Sequence, residues 1–211
     1  YMAEHMRQAE GGTFIQAESE IAAVNMVLGA SAAGARAMTS SSSPGISLKQ
    51  EGISALAADE LPAVVVNMMR GGPGLGNILP SQGDYFQATR GGGHGDYRTI
   101  VLAPSSVQEL ADLTMDAFDL ADAYRNPVMI LGDGMTGQMM EPVVFGKPRP
   151  RHYSEKYVLK GSSEGKSRFI RALILDALRM EEHNWKLVRK YTVIAQKEVR
   201  FETFRTGNAK L

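Results

Sequence analysis

Four short stretches of this sequence hold side chains that could do chemistry. The first is Gln16-Ala17-Glu18-Ser19-Glu20, two acids at an expected strand-to-helix junction. Acids in that place commonly do no more than complement the helix dipole. Glu20 differs because Ile21-Ala22-Ala23-Val24 follows it, so it stands at the edge of an apolar helix. That is the setting for a carboxylate that hydrogen-bonds a heterocycle. The second stretch is Arg70-Gly71-Gly72-Pro73-Gly74-Leu75-Gly76-Asn77. Glycines let backbone approach a ligand closely, and an arginine among them can grip a carboxylate or phosphate with two parallel hydrogen bonds. A solvated surface loop would have the same composition, and the stretch is not a P-loop, because no Gly-Lys-Ser/Thr follows. The third is Arg90-Gly91-Gly92-Gly93-His94-Gly95-Asp96-Tyr97, where His94 could act as acid, base or donor or simply be incidental. The fourth is the run Ser40–Ser43 ahead of Pro44. Ser43 followed by proline reads as a helix N-cap and first helical residue, and such a helix start also offers free N–H groups to an anion.

The composition closes off several other chemistries. There is no cysteine, so this chain has no catalytic thiol, disulfide framework, thiolate-bound zinc or iron–sulfur cluster. His5, His152 and His183 have no ligand spacing with His94, so no metal site is expected. No serine sits in a Gly-x-Ser-x-Gly elbow, which leaves serine-hydrolase chemistry unsupported. Lys plus Arg and Asp plus Glu are both 23, a zero balance that argues against a nucleic-acid surface. No stretch approaches the roughly 18 continuous apolar residues of a membrane span. The N-terminus is polar and lacks the apolar core of a signal peptide, so the expected location is the cytoplasm.

The elements that must position these residues follow from hydrophobic pattern. Thr13 to Gln16 reads as a short strand and Glu18 to Ala33 as a helix apolar on nearly every face, hence buried. Arg36 to Thr39 is a second short strand, and a helix runs from Pro44 to about Ala58. Leu61 to Met69 is a near-continuous apolar run rich in valine, as in a parallel strand covered on both faces. Thr99 to Ala103 and Pro127 to Leu131 are further strands. Between them Val107, Leu110, Ala111, Thr114, Ala117, Phe118 and Ala121 make a helical stripe, opened by Ser105 or Ser106 with Gln108 or Glu109 completing a capping box. Alternating strands and helices imply an α/β fold with a mainly parallel sheet flanked by helices. With 211 residues, one to two domains are expected: residues 1–146, a proline-containing basic linker over 147–163, and a helix-rich C-terminal extension over 164–211. In an open α/β sheet, ligands bind beyond the carboxyl ends of the strands. The Arg70 loop follows the best strand and is therefore well placed for a ligand.

Taken in order, QAESEIAAVN (16–25), TSSSSPGISLKQEGI (39–53), NMMRGGPGLGN (67–77), QGDYFQATRGGGHGDYR (82–98) and APSSVQE (103–109) resemble the alpha subunit of 2-oxoacid:ferredoxin oxidoreductases. The branched-chain type, which acts on 3-methyl-2-oxobutanoate, is the one it most resembles. The resemblance implies a pyrimidine-binding domain of a thiamine diphosphate enzyme. A beta subunit would supply the diphosphate and Mg²⁺ site, and an iron–sulfur subunit the clusters. The reaction implied is oxidative decarboxylation of a 2-oxoacid with coenzyme A, giving an acyl-CoA, CO₂ and reduced ferredoxin.

By the same resemblance, Glu20 is the glutamate on N1′ of the aminopyrimidine and Arg70 the arginine on the substrate carboxylate. Ser43 and Asn77 stand as candidates near the cofactor and His94 near the substrate. The family also carries a Tyr-Pro-Ile-Thr-Pro motif upstream and a further α/β domain downstream. The 211 residues therefore read as a fragment lacking both ends, and no activity is expected of them alone. Two other readings stand beside this one: the same enzyme class acting on 2-oxoglutarate or pyruvate, and a non-catalytic assembly module of this fold.

Overall fold

The computed structural model describes residues 2–6, 11–147, 149–161, 168–201, 203 and 207. Two compact units divide the chain, Tyr1–Leu173 and Ile174–Leu211. The first opens with a single helical turn, α1 (Met2–His5), and then α2 (Glu20–Ala32). Next come β1 (Met38–Ser41), α3 (Pro44–Ala58), β2 (Ala63–Met69) and α4 (Tyr85–Arg90). It closes with β3 (Ile100–Leu102), α5 (Val107–Tyr124), β4 (Pro127–Asp133) and α6 (Gly134–Gln138). The four strands form one parallel sheet in the order β1-β2-β4-β3.

Patterning explains this architecture. β2 and β4 occupy the two central places, and their runs AVVVNMM and PVMILGD are buried almost throughout. A central parallel strand has helices on both faces and must be apolar on both. Ala63, Val65 and Met69 join Met129 and Leu131 in a core with Val24 and Val27 of α2 and Ile46, Ile53 and Leu56 of α3. The alternating residues Val64, Val66, Val128 and Ile130 are also buried, and α5 packs on the same two strands. Ser106 caps α5 as expected, its hydroxyl accepting from the N–H of Glu109 at 3.1 Å. The Glu109 carboxylate accepts from the N–H of Ser105, not Ser106. These bonds to Ser105 hold it below the usual carboxylate range.

Three expectations need correction. Thr13 to Gln16 is not a strand: no neighbour pairs with it among the described residues, and Phe14 and Ile15 are exposed. α2 is not buried on every face. Val24, Val27, Ser31 and Ala32 pack inward, while Ile21 and Met26 remain exposed. Its apolar composition carries no directional signal, so the sequence could not say which face packs. Its close approach to α3 rests on Gly52, where a Cβ would collide with Val24. Ser43, finally, precedes Pro44 as expected but makes no side-chain cap bond.

Residues 149–158 pack on the same unit. The Arg151 guanidinium grips both oxygens of the buried Asp122 at 2.9 Å and donates to the Gly34 carbonyl at 2.7 Å. Tyr157 and Val158 join the core. In the second unit, α7 (Ala177–Lys197) is an amphipathic helix capped by Asp176, whose side chain accepts from the N–H of Arg179. Of the helix-rich stretch expected over 164–211, the described helix begins there, and residues 164–167, 202, 204–206 and 208–211 lie outside the described ones. No helix is long and apolar enough to cross a membrane among the described residues.

Candidate active site

Glu20 is the first residue of α2, after an extended Ser19. The chain enters the helix from the irregular segment 12–19, which leaves the Glu20 side chain facing α3 across a glycine. Oε1 of Glu20 lies 3.0 Å, and Cγ 3.1 Å, from where a Cβ on Gly45 would stand, and the Ser41 hydroxyl crowds the same point. The carboxylate is half-buried and accepts no hydrogen bond among the described residues. It lines a cleft of about 610 Å³ whose walls include Phe14, Ile15, Met38 and Phe118, with Thr39, Ser40 and Ser41 along the edge strand. A carboxylate free to accept, beside apolar walls, is suited to a flat heterocycle carrying a donor.

One charged group in this cleft escaped the sequence reading. Lys49 lines it too and is only 1% exposed. Its ammonium donates to the Ser40 carbonyl at 3.3 Å. Burial pushes its pKa down, and the Glu20 charge opposes that shift. A signal was available: Lys49 falls between Ile46 and Ile53 on the i, i+3, i+7 stripe of α3, where a cation is out of place unless it has a partner.

A second cluster forms where β1 and β2 end, on the same Ser41-to-Gly45 turn. The Ser43 N–H donates to Oδ1 of Asn67 at 3.0 Å, and Nδ2 of Asn67 donates to Asp84 at 2.9 Å. The Ser43 hydroxyl donates to the same Asp84 oxygen at 2.6 Å and accepts from the Arg70 N–H at 3.0 Å. That is why Ser43 does not cap α3: its hydroxyl is spent fixing the base of the Arg70 loop. The Arg70 guanidinium donates to the Leu75 carbonyl at 3.1 Å, while its Nε is buried without a partner. Asn67 and Asp84 were both missed by sequence. Asn67 could have been found, since a polar residue inside a fully covered strand must have a partner. Asp84 carried no signal of its own.

The remaining candidates lie apart from Glu20. Asn77 closes the loop, its side chain accepting from the N–H of Leu79 at 2.9 Å while its own N–H donates to the Gly71 carbonyl. His94 is exposed, on a loop tied to α3 further along: Gly92 and Gly93 donate to the Tyr97 hydroxyl, which donates to Gln50. Thus the structure brings Ser43, Asn77 and Arg70 together, places Glu20 with Lys49, and brings His94 to neither cluster. No group of three or more His, Asp or Glu side chains is arranged to hold a metal ion among the described residues.

Gly45 couples the fold to the site. A Cβ placed there by alanine would meet the Ser41 hydroxyl first and then Oε1 and Cγ of Glu20, side-chain atoms that can shift at a cost of about 1–3 kcal/mol. The Glu20 carboxylate would be displaced, however, and misplacement on the order of 1 Å can cost about 10²-fold in rate. We expect Gly45→Ala to fold with a lowered unfolding midpoint and, in the full-length protein, to lose whatever activity depends on the placement of the Glu20 carboxylate. Thermal unfolding and an activity assay on the same preparation check this.

Residues 1–201 match the family model described as pyruvate flavodoxin/ferredoxin oxidoreductase, thiamine diphosphate-binding. Over 202 residues, 95% of this chain, the sequence is 55% identical to the ketoisovalerate oxidoreductase subunit VorB of Methanothermobacter marburgensis, covering 57% of that protein. It is 52% identical over 136 residues to the 2-oxoglutarate synthase subunit KorA of Archaeoglobus fulgidus, 64% of this chain and 39% of that one. The fold superposes on 2-oxoglutarate:ferredoxin oxidoreductase from Magnetococcus marinus with a TM-score of 0.82 at 28% identity. That match covers 96% of this chain and 40% of the other. The chain thus spans a little over half the length of the VorB relative.

Proposed function

Because this chain belongs to the pyruvate flavodoxin/ferredoxin oxidoreductase family, thiamine diphosphate-binding, we propose that it is the pyrimidine-holding part of a 2-oxoacid:ferredoxin oxidoreductase. The substrate is a branched-chain 2-oxoacid such as 3-methyl-2-oxobutanoate, and the reaction is its CoA-dependent oxidative decarboxylation to acyl-CoA, CO₂ and reduced ferredoxin. The observation that carries this reading is the Glu20 carboxylate, half-buried and accepting no hydrogen bond among the described residues, in a cleft with apolar walls. Thiamine diphosphate fits that donor set: its aminopyrimidine is a flat heterocycle whose ring nitrogen a carboxylate can hold and exchange a proton with. When bound, the cofactor supplies the electron sink for decarboxylation.

This chain's residues do the rest. Glu20 holds and exchanges the proton at N1′. Phe14, Ile15 and Phe118 form the apolar side of the cleft beside that contact. Arg70 binds the substrate carboxylate from the second cluster, and Ser43 and Asn77 act by fixing the loop that carries it. The diphosphate, Mg²⁺ and iron–sulfur clusters belong to partner subunits, and the enzyme works in the cytoplasm with ferredoxin. The branched substrate is favoured by the longer and stronger match to the ketoisovalerate subunit over the 2-oxoglutarate subunits.

The test is anaerobic, CoA-dependent viologen reduction by the full-length subunit assembled with its partners. Separate reactions would contain 3-methyl-2-oxobutanoate, 2-oxoglutarate and pyruvate. Highest kcat/KM on the first is expected. A preference for another acid would keep the mechanism and replace the substrate. No reduction by a complex holding cofactor and clusters would leave an assembly module.

A further inference from the structure

We infer that Lys49 is a positioning residue for Glu20: its buried ammonium is the countercharge that holds the carboxylate in place in the cleft. The inference rests on the proposed role of Glu20 and deepens it.

Three observations of geometry carry the argument. Gly45 and Lys49 are four residues apart, on one face of α3, and the Glu20 carboxylate lies over Gly45. Glu20 and Lys49 line the same cleft. Lys49 is almost wholly buried, and the one hydrogen bond its ammonium makes among the described residues, to the Ser40 carbonyl at 3.3 Å, is long for a group with three protons to donate. A buried lysine with a single carbonyl partner would be costly unless a negative charge stood near it. Of the other charged groups lining the cleft, Glu18 is exposed on the segment before α2. Arg36, ahead of β1, is bound to Asp119 and Asp122 on α5. Lys49 and Glu20 are left as each other's countercharge. The depressed affinity of Lys49 for its proton, opposed by the Glu20 charge, agrees with this.

With the ammonium removed, the carboxylate loses the charge that orients it, and displacement of a positioned group on the order of 1 Å can cost about 10²-fold in rate. The loss falls on kcat, not KM, and a cation at the same place restores it. A lysine that merely filled space could be replaced by methionine without that loss.

The experiment compares wild type, Lys49→Met, Lys49→Arg and Glu20→Gln, each as the full-length subunit assembled with its partners and loaded with thiamine diphosphate. A fall in kcat on the order of 10²-fold with KM near wild type is expected in Lys49→Met, and recovery to within about tenfold of wild type in Lys49→Arg. A second readout needs no activity. Thermal unfolding of Lys49→Met, Glu20→Gln and the double variant should be non-additive, the second substitution costing less once the first charge is gone. A kcat within a few-fold of wild type in assembled Lys49→Met, no recovery in Lys49→Arg, strictly additive unfolding shifts, or failure of the double variant to assemble where Glu20→Gln assembles would each overturn the inference. If Glu20→Gln itself turns over normally, the functional reading of Glu20 falls instead, so the two failures are distinguishable.

Discussion

Glu20→Gln should abolish turnover while the complex still assembles and binds its cofactor. Glutamine has the shape of glutamate and can hydrogen-bond a ring nitrogen, but it cannot exchange a proton with it. Loss of a positioned acid–base group costs typically about 10²–10⁴-fold, and the expected fall in kcat lies at the upper end of that range. Stability should change little by comparison, since Glu20 accepts no hydrogen bond from the described residues. What changes is Lys49, whose buried ammonium loses the charge that opposes its depressed proton affinity. A modest fall in the unfolding midpoint alongside near-complete loss of viologen reduction is therefore expected. Turnover within a few-fold of wild type would remove Glu20 from the mechanism. Loss of assembly would make it a structural residue.

The difference between Glu20, which the sequence marks as a candidate, and Lys49, which it passes over, is physical. Glu20 announces itself locally: an acid next to an apolar helix is anomalous within five residues. β2 is legible for the same reason, because a central parallel strand must be apolar on both faces, and AVVVNMM can do nothing else. α5 declares its packed face through its stripe and its start through Ser106. Lys49 gains its meaning only when α2 packs on α3. That approach is set by Gly52 under Val24 and Gly45 under Glu20, contacts 28 and 25 residues apart in the chain. The Ser43–Asn67–Asp84 cluster likewise joins three loops and strand ends that no local pattern links. Sequence assigned Ser43 to capping because serine before proline is a strong local signal. The tertiary partner won, since Asp84 offers its hydroxyl a charged acceptor and Arg70 an N–H to receive. The strand expected at Thr13 to Gln16 failed in the opposite sense, having local propensity but no neighbour to pair with among the described residues.

Arg70→Lys should lower kcat/KM by about 30- to 100-fold, chiefly through KM, and should do so equally for every 2-oxoacid the enzyme accepts. Lysine keeps the charge but loses the planar fork that binds a carboxylate with two parallel bonds, a loss of about 2–3 kcal/mol. The backbone beneath it should not move, because the loop is anchored by the Arg70 N–H on Ser43 and by the Gly71–Leu79 and Asn77–Gly71 bonds, none of which involves the guanidinium. Among the described residues the guanidinium makes one bond, to Leu75, which leaves its buried Nε unpartnered and donors to spare. Uniformity across substrates discriminates here. The carboxylate is common to 3-methyl-2-oxobutanoate, 2-oxoglutarate and pyruvate, so an arginine that binds it cannot alter the ratio of their kcat/KM values. Measuring all three on wild type and Arg70→Lys tests this directly. An unchanged kcat/KM would reduce Arg70 to a staple of its own loop through Leu75. A drop confined to 2-oxoglutarate would assign Arg70 to that acid's distal carboxylate, and the group that binds the common one would have to lie elsewhere.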